Sequence, residues 1–222
     1  MQPVECVLFD SDGTLVDSEI LCCESFSNVF MSYGIPLSTE ECIKQFKGTN
    51  LYKVFAQVRE TYGLDQPDEK LEKEYRQDMA RLFELSLQPI KGIRPLLEGI
   101  TVPMAVVSNG PVTKMQHSLG LTKLIDFFGD HLYSAFDIQR WKPDPALLQL
   151  ASDKLSIPLD RCILIEDSVA GAHAGIAAGI PVFYFCADPH NQPIDHPLVT
   201  TFHDMAELPE LWKARGWNIY QA

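Results

Sequence analysis

Two aspartates, Asp10 and Asp12, directly follow the first apolar run of the chain, Val4–Phe9. The run predicts a strand buried on both faces, and ligands of an open parallel sheet bind beyond the carboxyl ends of its strands. A carboxylate there can attack phosphorus and form an acyl phosphate, and a second carboxyl group can protonate the leaving oxygen. Gly13 permits the sharp turn that this arrangement needs. A simple capped turn is the competing interpretation, because Asp and Gly are both common turn residues.

A hydroxyl, an amide and an ammonium group that could bind phosphoryl oxygens occur further along the chain. Ser108 and Asn109 follow the apolar run Pro103–Val107, and Lys142 lies in a later loop, before a proline. Taken singly, a Ser-Asn-Gly segment is typical of a turn, and a loop lysine is typical of a solvated surface. Taken with the aspartates, they form an ordered set of groups suited to phosphate chemistry.

An acidic pair ends a third apolar run, since Glu166 and Asp167 follow Cys162–Ile165. In isolation the commoner role of Asp167, or of the serine after it, is to cap the helix that follows. Because ligands bind at the carboxyl ends of parallel strands, the three groups of polar residues together predict a single site.

The elements that position these residues alternate between strands and helices. Short apolar runs, Val182–Cys186 among them, are separated by helical patterns, which favours a mostly parallel sheet with helices on both faces. About ninety residues separate the first predicted strand from the second, far more than an ordinary connection. Helices are predicted there over 19–33, 39–46 and 51–62. A longer helix carries one apolar stripe, made of Leu71, Tyr75, Met79, Leu82 and Phe83.

This organisation predicts two domains. Residues 1–15 and 89–222 form an α/β core, and residues 16–88 form a helical insertion. On the helix after the acidic pair, small residues recur at regular spacing and predict close packing of that helix on the sheet: Gly171, Gly175 and Gly179.

Four ordered segments resemble the motifs of the haloacid-dehalogenase-like hydrolases: Asp10-Ser11-Asp12-Gly13-Thr14, Ser108-Asn109, Lys142-Pro143 and Glu166-Asp167-Ser168. The resemblance covers essentially the whole chain. It implies a Rossmann-like parallel sheet core with helices on both faces and an inserted α-helical cap domain. It also implies that Asp10 is the nucleophile and Asp12 the general acid and base. By the same resemblance, Ser108, Asn109 and the catalytic Lys142 bind the phosphoryl group.

A magnesium ion completes the site that the resemblance implies. The metal ligands of the family correspond to the carboxylate of Asp10, the backbone carbonyl of Asp12 and the carboxylate of Asp167, while Glu166 stays open as a further ligand. A cation is also required on physical grounds, because these carboxylates and a dianionic phosphate cannot all stay ionised side by side unaided. Oxygen ligands without His or Cys are typical of a hard ion such as Mg²⁺.

Departures from related patterns favour hydrolysis. The dehalogenating relatives lack a carboxylate where Asp12 stands, so dehalogenation is disfavoured. The β-phosphoglucomutase relatives carry a histidine where this chain has Cys22 and an arginine where it has Leu51. We therefore expect a Mg²⁺-dependent phosphatase that works through an aspartyl phosphate. A sugar-phosphate mutase and a non-catalytic sensor of a phosphorylated metabolite are the alternatives.

Selection of the substrate should depend on the insertion, where Lys44 and Lys47 flank Phe46. A basic face there would suit an anionic leaving group such as a sugar acid. Lys47 is the predicted substrate-binding residue, whereas Lys44 has the character of solvated surface. The expected substrate is a small sugar phosphate or sugar-acid phosphate.

Composition excludes other classes of partner. The 222 residues carry 18 basic and 30 acidic side chains, a net charge of −12, which opposes binding to nucleic acid. No apolar stretch approaches the length of a membrane helix, and the first residues lack the basic segment of a targeting signal. Six cysteines without a CxxC pair are typical of a reducing compartment. We expect a cytoplasmic monomer whose partner is a small phosphorylated metabolite.

Overall fold

A parallel sheet forms the centre of the fold. The computed structural model describes residues 3–187 and 193–221. Within this part the strands are β1 (Cys6–Phe9), β2 (Met104–Ser108), β3 (Leu132–Ser134), β4 (Cys162–Glu166), β5 (Val182–Phe185) and β6 (Val199–Phe202). Their order across the sheet is β3-β2-β1-β4-β5-β6, and every pairing is parallel. The predicted α/β class is confirmed.

The inner strands are those that the sequence predicts. Every residue of β1, β4 and β5 is buried, which explains why these strands are apolar runs apart from Glu166, the last residue of β4. The edge strands β3 and β6 were not predicted from the sequence. Both are short and partly exposed, so they lack such a run. The register aligns Phe9 of β1 with Val106 of β2 and with Ile165 of β4. The residues that follow these three strands therefore meet at the carboxyl end of the sheet.

The helices of the insertion agree closely with the helical patterns of the sequence, and further helices surround the sheet. In chain order they are α1 (Glu19–Ser32), α2 (Thr39–Phe46), α3 (Leu51–Tyr62), α4 (Asp68–Ser86), α5 (Ile93–Gly99), α6 (Val112–Leu121), α7 (Ala135–Ile138), α8 (Ala146–Leu155), α9 (Val169–Ala178) and α10 (Leu208–Ala214). Within the described ranges, none of these helices has both the length and the apolar character that crossing a bilayer requires.

The chain divides into two compact units. The sheet unit comprises the chain up to Val16 and from Pro89 onward. The insertion comprises Asp17–Gln88 and contains α1 to α4. Val16, which the sequence places in the insertion, belongs to the sheet unit, where it forms a bridge with Pro89.

The insertion has an apolar core of its own. The predicted stripe of α4 is its buried face: Leu71, Tyr75, Met79, Leu82 and Phe83. Phe26 of α1 stacks on Tyr75 with ring centroids 4.4 Å apart, and it meets Phe46 and Phe55 edge-on. Aromatic pairs of this kind add to the free energy of burial. The insertion therefore has a core built from side chains of its own helices.

Candidate active site

A buried lysine joins the ends of β1 and β4. Asp10 follows β1, and its backbone N–H donates to the carbonyl of Ile165 at 3.0 Å. The Nζ of Lys142 donates to Oδ1 of Asp10 at 2.6 Å and to Oε2 of Glu166 at 2.7 Å. Lys142 and Glu166 are both buried, and Asp10 is 8% exposed. The structure thus brings together three predicted residues that lie far apart in the sequence.

The electrostatics of this cluster follow from burial. Burial raises the pKa of Asp10 to about 7; the Glu166 carboxylate adds to the rise, and the Lys142 ammonium opposes it. Burial lowers the pKa of Lys142, but the two carboxylates outweigh that effect and leave the pKa above its usual value. The Lys142 side chain is therefore protonated at neutral pH. A bound metal ion would further favour the ionised form of Asp10.

A set of carboxylate oxygens beside Lys142 suits a metal ion. Asp10, Glu166 and Asp167 each offer an oxygen, and these oxygens lie within 4.8 Å of one another. Oxygen donors alone fit a hard divalent cation such as Mg²⁺. Thr14 Oγ1 donates to Oδ1 of Asp167 at 2.8 Å and thereby orients that carboxylate.

Gly13 permits the close approach of the first loop to this carboxylate. Its φ is +80°, and a Cβ there would lie 2.1 Å from Oδ2 of Asp167. Any other residue would both strain the backbone and displace the carboxylate. The backbone carbonyl of Asp12 stays a predicted metal ligand.

Asp12 has a partner that sequence reasoning missed. The Nζ of Lys114, in the first turn of α6, donates to Oδ2 of Asp12 at 2.8 Å. The two side chains are 15% and 27% exposed, so the pair is largely shielded from water. The available signal was the position of Lys114 near the start of the helix that follows Ser108 and Asn109. A lysine there is brought to the edge of the sheet where ligands bind.

The residues after β2 support the Lys142 loop. Oδ1 of Asn109 accepts the backbone N–H of Lys142 at 2.9 Å, so Asn109 holds the loop that carries the lysine. Ser108 ends β2, and its Oγ accepts the N–H of Gly110 at 3.0 Å. Ser134, at the end of β3, donates to the carbonyl of Gly110 at 2.7 Å. This second missed contact fixes the turn that presents Ser108.

Lys47 lies in the insertion, at the end of α2. Its Nζ pairs with Oε2 of Glu19 at 2.8 Å, and both side chains are about one quarter exposed. Lys44 pairs with Glu40 on the surface, in keeping with its predicted solvated character. The role of Lys47 in substrate binding stays a prediction, and Glu19 offsets part of its charge.

Comparison with known proteins identifies the family. The model of the haloacid dehalogenase-like hydrolases matches residues 7–185, which contain all four motif segments. The chain belongs to this family, as its motifs predict. Its parallel sheet with helices around it is the fold of the solved members described next.

The relatives include one that matches nearly the whole length of the chain. The chain is 52% identical over 219 residues to the 6-phosphogluconate phosphatase of Escherichia coli (strain K12), and the match covers 99% of each chain. A haloacid dehalogenase-like protein of unknown function from Agrobacterium tumefaciens str. C58 superposes with a TM-score of 0.79 at 27% identity, covering 96% of this chain and 99% of that one. A hydrolase of the family from Deinococcus radiodurans R1, solved with bound phosphate and sodium, gives a TM-score of 0.74 at 28% identity, covering 97% and 98%. These matches agree with the expected class, a phosphoric monoester hydrolase.

Proposed function

We propose that this protein is a Mg²⁺-dependent phosphatase that hydrolyses a small sugar-acid phosphate through an aspartyl phosphate. One observation carries the proposal. A buried carboxylate, Asp10, lies beyond the end of a central strand, with the Lys142 ammonium 2.6 Å away and a second carboxylate, Asp167, within 4.8 Å. A buried cluster of ionisable groups at a ligand-binding edge of a sheet is typical of a catalytic site.

The charges of the cluster suit a phosphoryl group. The Lys142 ammonium and the Ser108 hydroxyl would donate to phosphoryl oxygens and orient the phosphorus toward Asp10. Asp10 and Asp167, with the backbone carbonyl of Asp12, would hold Mg²⁺. When bound, the ion neutralises phosphoryl oxygens and the charge that develops in the transition state.

The reaction would proceed in two displacements. In the first, an oxygen of Asp10 bonds to phosphorus as the bond to the leaving oxygen breaks, and Asp12 gives that oxygen a proton. In the second, Asp12 takes a proton from water, whose oxygen bonds to phosphorus. Inorganic phosphate leaves, and the carboxylate of Asp10 is restored.

6-Phosphogluconate is the proposed substrate. The support is the 52% identity to the Escherichia coli enzyme of that name over 99% of both chains. The Deinococcus relative with bound phosphate supports a phosphate pocket in this fold. Lys47 of the insertion is the residue proposed to favour the acidic leaving group.

Phosphate release from a panel of sugar phosphates tests the proposal. The panel includes 6-phosphogluconate and the neutral sugar analogue glucose 6-phosphate, each assayed with Mg²⁺, with EDTA and with the Asp10→Asn variant. We expect release only from the unmodified protein with Mg²⁺, with 6-phosphogluconate preferred. Absence of release, or full activity of Asp10→Asn, would refute the proposal. Isomerised sugar phosphate with little free phosphate would instead identify a mutase, and binding without turnover a sensor.

A further inference from the structure

Gly171 occupies the first turn of α9, next to the side chain of Glu166. A Cβ at Gly171 would lie 1.8 Å from Oε2 of Glu166 and 2.0 Å from its Cδ. Both distances are far shorter than any real contact between non-bonded atoms. The backbone of Gly171 is helical, a conformation that any residue could adopt. Space rather than conformation therefore requires glycine here.

The predicted stripe of small residues on α9 thus has more than one physical basis. Close packing on the sheet is confirmed for Gly175, where a Cβ would lie 2.3 Å from Cγ2 of Val182. The prediction is wrong for Gly179, which ends α9 in a left-handed conformation with φ +73° and open space beside it. At Gly171 the neighbour is a carboxylate of the active-site cluster.

Both oxygens of Glu166 are held in place. Oε1 accepts the backbone N–H groups of Asp167 at 3.2 Å and Ser168 at 2.9 Å. Oε2 accepts the Lys142 ammonium at 2.7 Å, and the residue is fully buried. Although Glu166 lies near Asp10 and Asp167, three donors already occupy its two oxygens, which together offer about four lone-pair sites, so little capacity is left for a metal ion.

We propose that Gly171 is a positioning residue whose missing side chain leaves the space for Glu166, and that Glu166 is the counter-ion that directs Lys142 to Asp10 rather than a metal ligand. The consequence for the reaction rests on the proposed function. The chain of contacts runs from Gly171 through Glu166 and Lys142 to Asp10. Displacing Glu166 would leave a buried ammonium with one carboxylate instead of two, free to turn away from the phosphoryl group.

A double-mutant cycle tests the first half of the proposal. It compares the unmodified protein with Gly171→Ala, Glu166→Ala and the double variant, in kcat for 6-phosphogluconate and in the midpoint of thermal unfolding. We expect Gly171→Ala to lower kcat on the order of 10- to 100-fold, the usual effect of losing a supporting contact. In the Glu166→Ala background the same change should cost less than about twofold, because the added methyl group occupies emptied space.

Equal losses in the two backgrounds would overturn the proposal, because Gly171 would then act through helix packing. Gly120→Ala is the matched control, since Gly120 lies in helix α6 with nothing within 4 Å of an added Cβ. This control should keep kcat unchanged. Alanine is intrinsically the better helix residue, so helix propensity cannot account for a loss at Gly171.

Metal titration tests the second half without measuring activity. Calorimetry with Mg²⁺ alone should give the same affinity within about twofold for the unmodified protein and Glu166→Gln. Asp167→Asn should weaken binding about tenfold or more. If Glu166→Gln weakens binding as much as Asp167→Asn does, Glu166 is a metal ligand and the proposal fails. If the unmodified protein releases no phosphate from any sugar phosphate, the proposed function fails, while the titration and the unfolding midpoints still decide the roles of Gly171 and Glu166.

Discussion

The two units of the chain bury different kinds of side chain. Within the described residues, the buried charged side chains all belong to the sheet unit: Asp10, Lys142, Glu166 and Asp167. The insertion buries mainly apolar groups such as Phe26 and Phe55, and its Lys44–Glu40 and Arg59–Asp68 ion pairs lie at the surface.

This difference separates chemistry from stability. Burial of charge costs several kcal/mol per ion and is retained where a function requires it. Apolar burial is the dominant stabilising contribution in folding. Substitutions in the charged cluster should therefore change catalysis more than stability, and substitutions in the core of the insertion should do the reverse.

The largest expected effect is that of Asp10→Asn. Loss of the nucleophile should lower kcat by on the order of 10⁴-fold or more, as loss of a nucleophile does in other enzymes. The free energy of unfolding should stay within about 1 kcal/mol, because a neutral amide avoids the desolvation that raises the pKa of Asp10 to about 7. Phosphate release measures kcat, and thermal unfolding measures the stability. A variant that loses much stability would show that the charged cluster holds the sheet unit together.

Phe55→Ala tests the opposite side of the comparison. Phe55 is fully buried in the insertion, and its loss should lower the free energy of unfolding by about 3–5 kcal/mol. The kcat of the folded fraction should change little. Urea denaturation followed by fluorescence measures the free energy of unfolding. Leu85→Ala is the control, because Leu85 is 69% exposed, and its free energy of unfolding should stay within about 0.5 kcal/mol of that of the unmodified protein. A hundredfold loss of kcat at unchanged stability would assign the insertion a direct part in the chemistry.

Lys114→Met should act through Asp12. Because Lys114 donates to Oδ2 of Asp12 at 2.8 Å, its loss frees the carboxyl group that moves the proton. We expect kcat to fall about 10- to 100-fold for 6-phosphogluconate. The loss of kcat/KM, which reports the first displacement, should be smaller for p-nitrophenyl phosphate, whose leaving group departs without a proton. Lys114→Arg should restore part of the activity. Equal losses of kcat/KM for both substrates would exclude a role of Lys114 in protonating the leaving oxygen through Asp12.

Lys47→Met should change selectivity rather than basal rate. Removing the ammonium should lower the preference for 6-phosphogluconate over glucose 6-phosphate by several-fold, about 1 kcal/mol in transition-state binding. Lys44→Met is the control, because Lys44 is exposed and paired with Glu40. The ratio of kcat/KM values for the two substrates is the measurement. An unchanged ratio would remove Lys47 from substrate selection.

The smallest effect concerns acid stability of the insertion. Burial raises the pKa of Glu72, but hydrogen bonds from Tyr52 and Arg76 outweigh it and leave the pKa below 4.5. Because the pKa is lower in the folded state, this stabilisation is present above pH 4.5 and is lost as the pH falls below it. Between pH 7 and pH 4 the free energy of unfolding should therefore fall less for Glu72→Gln than for the unmodified protein. The difference should be under about 1 kcal/mol, because the group is partly exposed. If the free energy of unfolding falls equally with pH in both proteins, the stabilising role of the ionised Glu72 side chain is contradicted.

Much of the fold could be predicted from local pattern. The stripe of α4 from Leu71 to Phe83 and the runs of β1, β4 and β5 follow from periodicity, because each buries a complete face or both faces. The edge strands β3 and β6 could not be found this way, since partial exposure removes the apolar signal. The motif residues were predicted because chemically matched groups occur in order along the chain, most of them at strand ends, and because they resemble the motifs of a known family.

The sequence by itself determined the chemical groups of the site, their order and the strand ends that carry them, because these depend on residue type and short-range periodicity. Only the tertiary structure decided which groups touch. The contact of Lys114 with Asp12 joins residues 102 positions apart. The position of Glu166 requires that Gly171 carry no side chain, since a Cβ there would lie 1.8 Å from Oε2 of Glu166. Such contacts are set by the packing of whole elements, at distances that no local pattern encodes.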